Sequence, residues 1–505
     1  MPVSQLKAGA VLNYVILGLN AIVGLAYTPY MLRMMGQSEY GLYSLAASVI
    51  AYLSILDLGF GNAVIRYTAK FRAEGKVDEQ YSMFGMFTIL YSVIGVIALI
   101  VGLVLYFNIN NLFGATLTPV EIQRTKVIIL LMVFNLAVTF PLSIYGAIIT
   151  AYEDFIFLRV VQILRILLNT GVMICLLSMG YKAIAMVVVQ TIFNIATLLL
   201  NVFYCKNKIH IKIKFTHTNW PFLKEVAIYS FWIFLNVIMD RIYWSTGQFV
   251  LGAVSGTIAI SVFAVAIQLQ GFYMMFSGGI SSVFLPRVTA MVTKNANEKE
   301  VSDLFIKVGR IQYIILAFIL SGFIVFGRQF ICFWAGPAYN DSYYITLLFF
   351  IPLTVPLIQN LGIIILQARN QMKFRSMLYI YIALGSLALQ IPLGKYYGGI
   401  GCAVAIALAL TIGQIIIMNI YYYRKQALDT ILFCKEILKM TIIPAVLVIM
   451  SELIFHKIQI NSILSFIVGI FVFTLIYLPL FWKFSMNQYE RNLLLQPIKK
   501  ILRHD

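Results

Sequence analysis

Charge is what this chain has least of. Only 11% of its 505 residues are Asp, Glu, Lys or Arg, against roughly 25% in an ordinary soluble domain. Hydrophobic residues make up 61%, and mean hydropathy is +0.91. A soluble globule is excluded, because each bilayer-crossing helix needs ~20 mostly apolar residues and the chain supplies such runs one after another. It has no ~10-residue segments of alternating polarity, which excludes an outer-membrane barrel. The five cysteines (Cys175, Cys205, Cys332, Cys402, Cys434) are scattered, mostly inside apolar runs, and offer neither a disulfide framework nor CxxC metal spacing. The four histidines (His210, His217, His456, His504) do not cluster either, so no metal site is expected. No GxxxxGK[ST] loop is present, which excludes a built-in ATP-driven motor. No cofactor is expected. The opening MPVSQLKAGA lacks the charged region and small-residue cleavage site of a signal peptide, so the first apolar run is expected to remain as a span.

What charge there is carries information through its placement. A net charge of +18 raises the possibility of nucleic acid, but its distribution argues against that partner. Fourteen apolar spans are expected, in an all-α polytopic membrane protein. With the N-terminus inside, 27 of the 37 Lys and Arg fall in the inner loops and tail, 7 in the outer loops and three within spans. This is the positive-inside pattern, and it places both termini in the cytoplasm. The longest polar linker, CKNKIHIKIKFTHTNWP, follows span six. The expected organisation is a six-helix lobe over 1–204, a cytoplasmic linker over 205–221, a second six-helix lobe over 222–423, and two additional helices with a cytoplasmic tail over 424–505. Six spans is an even number, so the second lobe keeps the orientation of the first. Parallel repeats of this kind place a substrate cavity between lobes.

Charges inside spans narrow the function. The second span, near 40–67, carries Asp57, a Gly59-Phe60-Gly61 break expected to act as a hinge, and Arg66. Span five, near 157–179, carries Arg165 ~12 Å from its cytoplasmic end at ~1.5 Å per residue, close to the midplane of a ~30 Å core. Span seven, near 222–251, carries Asp240 and Arg241 a little beyond its middle. A charge at that depth costs at least ~2.5 kcal/mol and usually faces a protein-lined cavity. Arg66 lies near the inner end of its helix, where it can also snorkel to the interface. Guanidinium is always charged and presents a planar fork matched to phosphate oxygens. Arg66, Arg165 and Arg241 are therefore the candidate cavity charges for an anionic group such as a pyrophosphate. Asn62, Asn236, Gln248, Gln268 and Gln270 are the candidate polar lining. Asp57 and Asp240 are candidates for orienting the arginines or taking a coupling proton. A cationic drug would call instead for intramembrane carboxylates and aromatic walls, and the same two aspartates fit that alternative.

The segment LDLGFGNAVIRYTAKFRAEGK, after a first span ending TPYMLRMMGQSEYGLYSL, resembles the bacterial polysaccharide-biosynthesis flippases of the O-antigen and exopolysaccharide type. These belong to the multidrug/oligosaccharidyl-lipid/polysaccharide exporter superfamily. DRIYWSTGQFVLGAVSGTIAISVFAVA resembles the same family, although relatives often carry an acidic residue where this chain has Gly247. The resemblance runs over essentially the whole chain and agrees with the fourteen-span count. It implies two six-helix lobes in a V, with alternating inward and outward openings, and a flippase rather than an enzyme. The implied substrate is an oligosaccharide on an undecaprenyl-pyrophosphate carrier, moved between leaflets of the bacterial cytoplasmic (inner) membrane. Implied partners are membrane lipids, a coupling ion (H+ or Na+) and polysaccharide polymerase machinery. A cation-coupled multidrug antiporter of the same fold is the alternative. A glycan polymerase or ligase fits poorly, because no sizeable outer loop is present.

Overall fold

The computed structural model describes residues 5–215, 220–293, 297–369, 371–455, 462–493 and 495. His217, Lys294, His456, Lys457, Lys499, Lys500, Arg503 and His504 lie outside the described residues. Among the described residues every regular element is helical, as expected for a chain that must satisfy its backbone hydrogen bonds within each segment in lipid. The chain divides into two compact units. One comprises Met1–Ala264 with Gln390–Gly399, and the other Val265–Leu389 with Ile400–Asp505.

The first unit holds α1 (Gln5–Met35), α2 (Gln37–Leu53), a 3-10 turn (Ser54–Asp57), α3 (Phe60–Ala73), α4 (Val77–Phe113), α5 (Pro119–Ala151), α6 (Phe155–Ser178), α7 (Ala183–Asn207), α8 (Trp220–Val254) and the first turns of α9 (Thr257–Thr293). The second holds the remainder of α9, then α10 (Glu298–Trp334), α11 (Ser342–Ile358), α12 (Asn360–Ala368), most of α13 (Lys373–Ala409), a π-helical stretch (Leu410–Ile417), α14 (Met418–Gln426), α15 (Thr430–Phe455) and α16 (Ile463–Phe484).

Eleven of the described helical runs are long and apolar enough to cross a bilayer, or 12 with the bent pair α11–α12 counted as one span. One of these, Lys373–Gln426, runs 54 residues and is broken at Gly398, whose φ of 56° and ψ of −137° lie outside the helical region. Its 54 residues are more than twice the ~20 that one crossing needs, and the count among the described residues stands at 11 or 12 against the fourteen expected. The chain is a multi-pass membrane protein.

Span two is a single crossing, Gln37–Ala73, interrupted in its middle. The interruption is set locally. Leu58 (φ 52°) and Gly59 (φ 72°) occupy the left-handed region, so the helix stops at the 3-10 turn and restarts at Phe60. Glycine takes that conformation without the Cβ clash that costs other residues ~1–2 kcal/mol. Gly59→Val is accordingly expected to lose at least ~1 kcal/mol, read as a lowered thermal midpoint, whereas Leu58→Gly should raise it. Beyond the break, α3 is anchored by a buried cluster in which Phe60, Val64 and Tyr67 pack with Phe84, Phe87 and Tyr91 of α4 and Phe140 and Ile144 of α5. Close approach of α4 and α5 depends on small residues. A Cβ at Gly95 would stand 2.6 Å from the Ala137 carbonyl oxygen, and one at Gly102 would stand 2.4 Å from the Val133 side chain. Helix interfaces in membranes are enriched in small residues for this reason.

In the second unit, α15 and α16 pack on α10. Their attachment is polar as well as apolar. Arg310 of α10 is 5% exposed and donates to Glu490 from Nε (2.5 Å) and Nη2 (3.1 Å), to Glu436 of α15 (2.7 Å) and to the Ser485 carbonyl (3.3 Å). Glu490 itself is 2% exposed, and one of its oxygens also accepts from the Asn487 backbone N–H at 2.9 Å.

Candidate functional site

Within the first unit, α1, α2, α5, α6 and α7 line a partly open cavity of about 580 Å³. Each helix contributes one face, at the 3–4 residue spacing that stacks side chains along a helix. They are Asn20, Val23 and Tyr27 from α1; Tyr43, Ala47 and Ile50 from α2; Met132, Asn135, Leu136 and Thr139 from α5; Arg165, Ile166, Asn169 and Thr170 from α6; and Gln190 and Asn194 from α7. Arg165 lies ten residues past Phe155 at the start of α6, ~15 Å along the axis at ~1.5 Å per residue. That is near the middle of the 24-residue helix.

The lining mixes apolar side chains, which supply most of its surface, with polar groups whose arrangement is organised. Asn194 Nδ2 donates to Asn135 Oδ1 at 2.8 Å and to Thr139 Oγ1 at 2.7 Å. The Tyr43 hydroxyl and the Gln190 amide are paired at 3.2–3.3 Å. These bonds tie α5 to α7 and α2 to α7 and fix the orientation of the amides. The Tyr27 hydroxyl and Asn169 Oδ1 are buried with no hydrogen-bond partner among the described residues. No carboxylate lines the cavity, and Arg165 makes no ion pair among the described residues. Its guanidinium is the single formal charge of the site among the described residues.

Of the residues singled out from the sequence, Arg165 alone lines this cavity. Asp57 ends the 3-10 turn, half-buried beside the Tyr91 hydroxyl and the Gly59 backbone, and it forms no salt bridge with an arginine among the described residues. Gly61 lies in the first turn of α3, where a Cβ would be 3.8 Å from the Tyr91 hydroxyl. Asn62 and Arg66 are exposed on α3, and the Arg66 guanidinium stands 5.7 Å from the Tyr67 ring centroid. Asp240 and Arg241 are exposed on α8, and Gln248 on the same helix is half-buried. The side chain of Asn236 lies outside the described set. In the second unit, Gln268 is half-buried and Gln270 is buried, its amide directed at the Met274 sulfur. Gly247, where relatives often carry an acid, has no room for one. A Cβ there would stand 2.5 Å from the Phe263 ring and 3.4 Å from Gln390 Oε1.

Nine further polar lining residues were not singled out from the sequence: Asn20, Tyr27, Tyr43, Asn135, Thr139, Asn169, Thr170, Gln190 and Asn194. A signal for them exists. Asn169 follows Arg165 by four residues, Asn194 follows Gln190 by four, and Tyr27 follows Asn20 by seven, so each pair is a polar face on an otherwise apolar helix.

Comparison with known proteins agrees with this architecture. The family described as "Polysaccharide biosynthesis protein" matches residues 6–292. None of the curated proteins matches the chain. Among solved structures, the lipid II flippase MurJ in an inward closed conformation is 17% identical with a TM-score of 0.71, covering 96% of this chain and 99% of that one. An inward-facing multidrug resistance MATE family transporter of the MOP superfamily is 15% identical with a TM-score of 0.62, covering 81% and 99%. The MATE multidrug transporter DinF-BH is 16% identical with a TM-score of 0.57, covering 84% and 96%. At these identities the structural likeness establishes the fold, an all-helical transporter fold shared with a flippase and with drug transporters. The match over more than half of its length establishes that the chain belongs to the polysaccharide biosynthesis protein family.

Proposed function

We propose that the chain is a flippase that moves undecaprenyl-pyrophosphate-linked oligosaccharide from the cytoplasmic to the periplasmic or outer leaflet by alternating access. The observation that carries the proposal is the cavity around Arg165 in a member of a polysaccharide-biosynthesis family. It holds one permanent positive charge at membrane depth, surrounded by neutral amides and hydroxyls. Amide and hydroxyl groups exchange hydrogen bonds with sugar hydroxyls without demanding charge. Arg66 and Arg241, both exposed, supply positive charge for the pyrophosphate, and Asn62, Asn236, Gln248, Gln268 and Gln270 accept the sugars. Asp57 takes a coupling proton beside Tyr91, and Asp240 orients Arg241. The lobes are residues 1–204 and 222–423 joined by the linker 205–221, with 424–505 added. The protein resides in the bacterial inner membrane with both termini in the cytoplasm, and it works beside the polymerase that consumes its product.

The drug-antiporter alternative fares worse at this cavity, where a permanent guanidinium repels a cation. Deletion of the gene tests the proposal. Lipid-linked glycan should accumulate on the inner leaflet while surface glycan falls. Normal surface glycan with no accumulation removes the proposal, and increased sensitivity to cationic drugs instead would establish the antiporter.

A further inference from the structure

We infer that the Arg165 cavity is a subsite for an acidic sugar, a hydroxylated monocarboxylate, and does not hold the pyrophosphate. The inference rests on the flippase reading and names the substrate class it takes. Three observations lead to it. The first is charge balance. The cavity carries one guanidinium and no carboxylate, and Arg165 has no ion pair among the described residues. An uncompensated charge at this depth is costly, and one monoanion neutralises it. A pyrophosphate diester carries two negative charges and would leave one unmatched.

The second is shape. At about 580 Å³ the cavity is far larger than a halide ion requires and lies within the ~300–1,000 Å³ range of small-molecule sites. A planar guanidinium fork pairs bidentately with a carboxylate. The third is the rest of the wall. The Asn194–Asn135 and Tyr43–Gln190 hydrogen bonds hold amides at fixed orientations. The Asn169 side-chain carbonyl oxygen and the Tyr27 hydroxyl have no partner among the described residues. Both residues line the cavity, so these atoms are placed to bond the polar groups of a ligand. Sugar hydroxyls are both donors and acceptors, so they satisfy an unpaired acceptor and an unpaired hydroxyl alike.

The test uses the purified full-length protein in nanodiscs, with its thermal midpoint read from intrinsic fluorescence. The probes are sodium glucuronate, glucose, sodium phosphate and sodium chloride at matched ionic strength. Glucuronate is expected to raise the midpoint by ~2–4 °C at concentrations well above its Kd, and the other three by much less. Arg165→Gln should abolish the glucuronate shift. Should that variant fail to fold, Gln190→Met and Asn169→Leu are expected to reduce the shift at least threefold. Equal shifts with phosphate or chloride would reduce the site to a general anion site and overturn the inference. An equal shift with glucose would make it a neutral-sugar site and overturn it too, as would no shift at all. The readout is binding alone. Its failure with normal glycan export in cells overturns only this inference, whereas intact glucuronate binding without export defects in the deletion strain overturns the flippase reading.

Discussion

An Arg165→Gln chain is expected to reach the membrane in normal amount and yet leave lipid-linked glycan stranded on the inner leaflet. The expected loss of export is at least ~10-fold, because a desolvated charge-assisted interaction is worth ~1.5–3 kcal/mol and ~1.4 kcal/mol is a factor of ten. The physical reason lies in what the substitution leaves unchanged. The replacement glutamine keeps much of the side-chain length and a donor, so helix α6 and the walls of the cavity persist. What disappears is the formal charge that Arg165 brings to the cavity. Neutral polar groups at the same depth are tolerated far better than a charge, so the variant should be no less stable than the parent. Function and stability are thereby expected to move apart. Export of cationic drugs, were it the activity, would be unaffected or enhanced. The measurement is surface glycan together with inner-leaflet lipid-linked glycan in a deletion strain carrying either chain.

The largest stability effect is expected elsewhere, at Arg310. Removing it leaves Glu490, 2% exposed, without its bidentate partner and Glu436 without its inter-helix donor. Breaking a buried pair by deleting one member costs ~3–5 kcal/mol, since a charge remains behind unpaired. Arg310→Ala is therefore expected to lower the thermal midpoint by many degrees and to loosen α15 and the segment containing Glu490 from α10, read as faster hydrogen exchange there. Replacing Arg310, Glu436 and Glu490 together by apolar residues of similar volume should recover most of the loss, because the desolvation cost of the ions disappears with them. An Arg310→Ala protein with an unchanged midpoint would show that the triad contributes nothing net.

Arg310 also illustrates how the sequence conceals such a device. In the sequence it reads as one more basic residue near the end of a span, counted among the expected inner-loop charges. Its partners lie 126 and 180 residues further on, and no local spacing announces them. The break in span two was legible because its cause is local. Two glycines flank a phenylalanine just after an aspartate in an apolar run, and Gly59 adopts the conformation that only glycine holds without strain. Arg165 was legible for a different reason: a charge ~12 Å into a span is costly wherever it points. Its surroundings were not legible. Asn20, Tyr43, Asn135 and Asn194 are single polar residues on four separate helices, and only the packing of α1, α2, α5 and α7 brings them to one cavity. Gly247 shows the same. Nothing local in the sequence marks this glycine as crowded, yet a Cβ there would stand 2.5 Å from the Phe263 ring.

The most direct measurement is translocation by the purified protein in proteoliposomes loaded with a fluorescent pyrophosphate-linked acidic oligosaccharide, with a glycosidase added outside. Without protein, only the outer-leaflet pool should be cleaved. With the protein, the inner-leaflet pool should become accessible as well, and Arg165→Gln should leave it protected. An inner pool that stays protected with the intact protein, alongside gradient-driven expulsion of a cationic dye, would contradict the account.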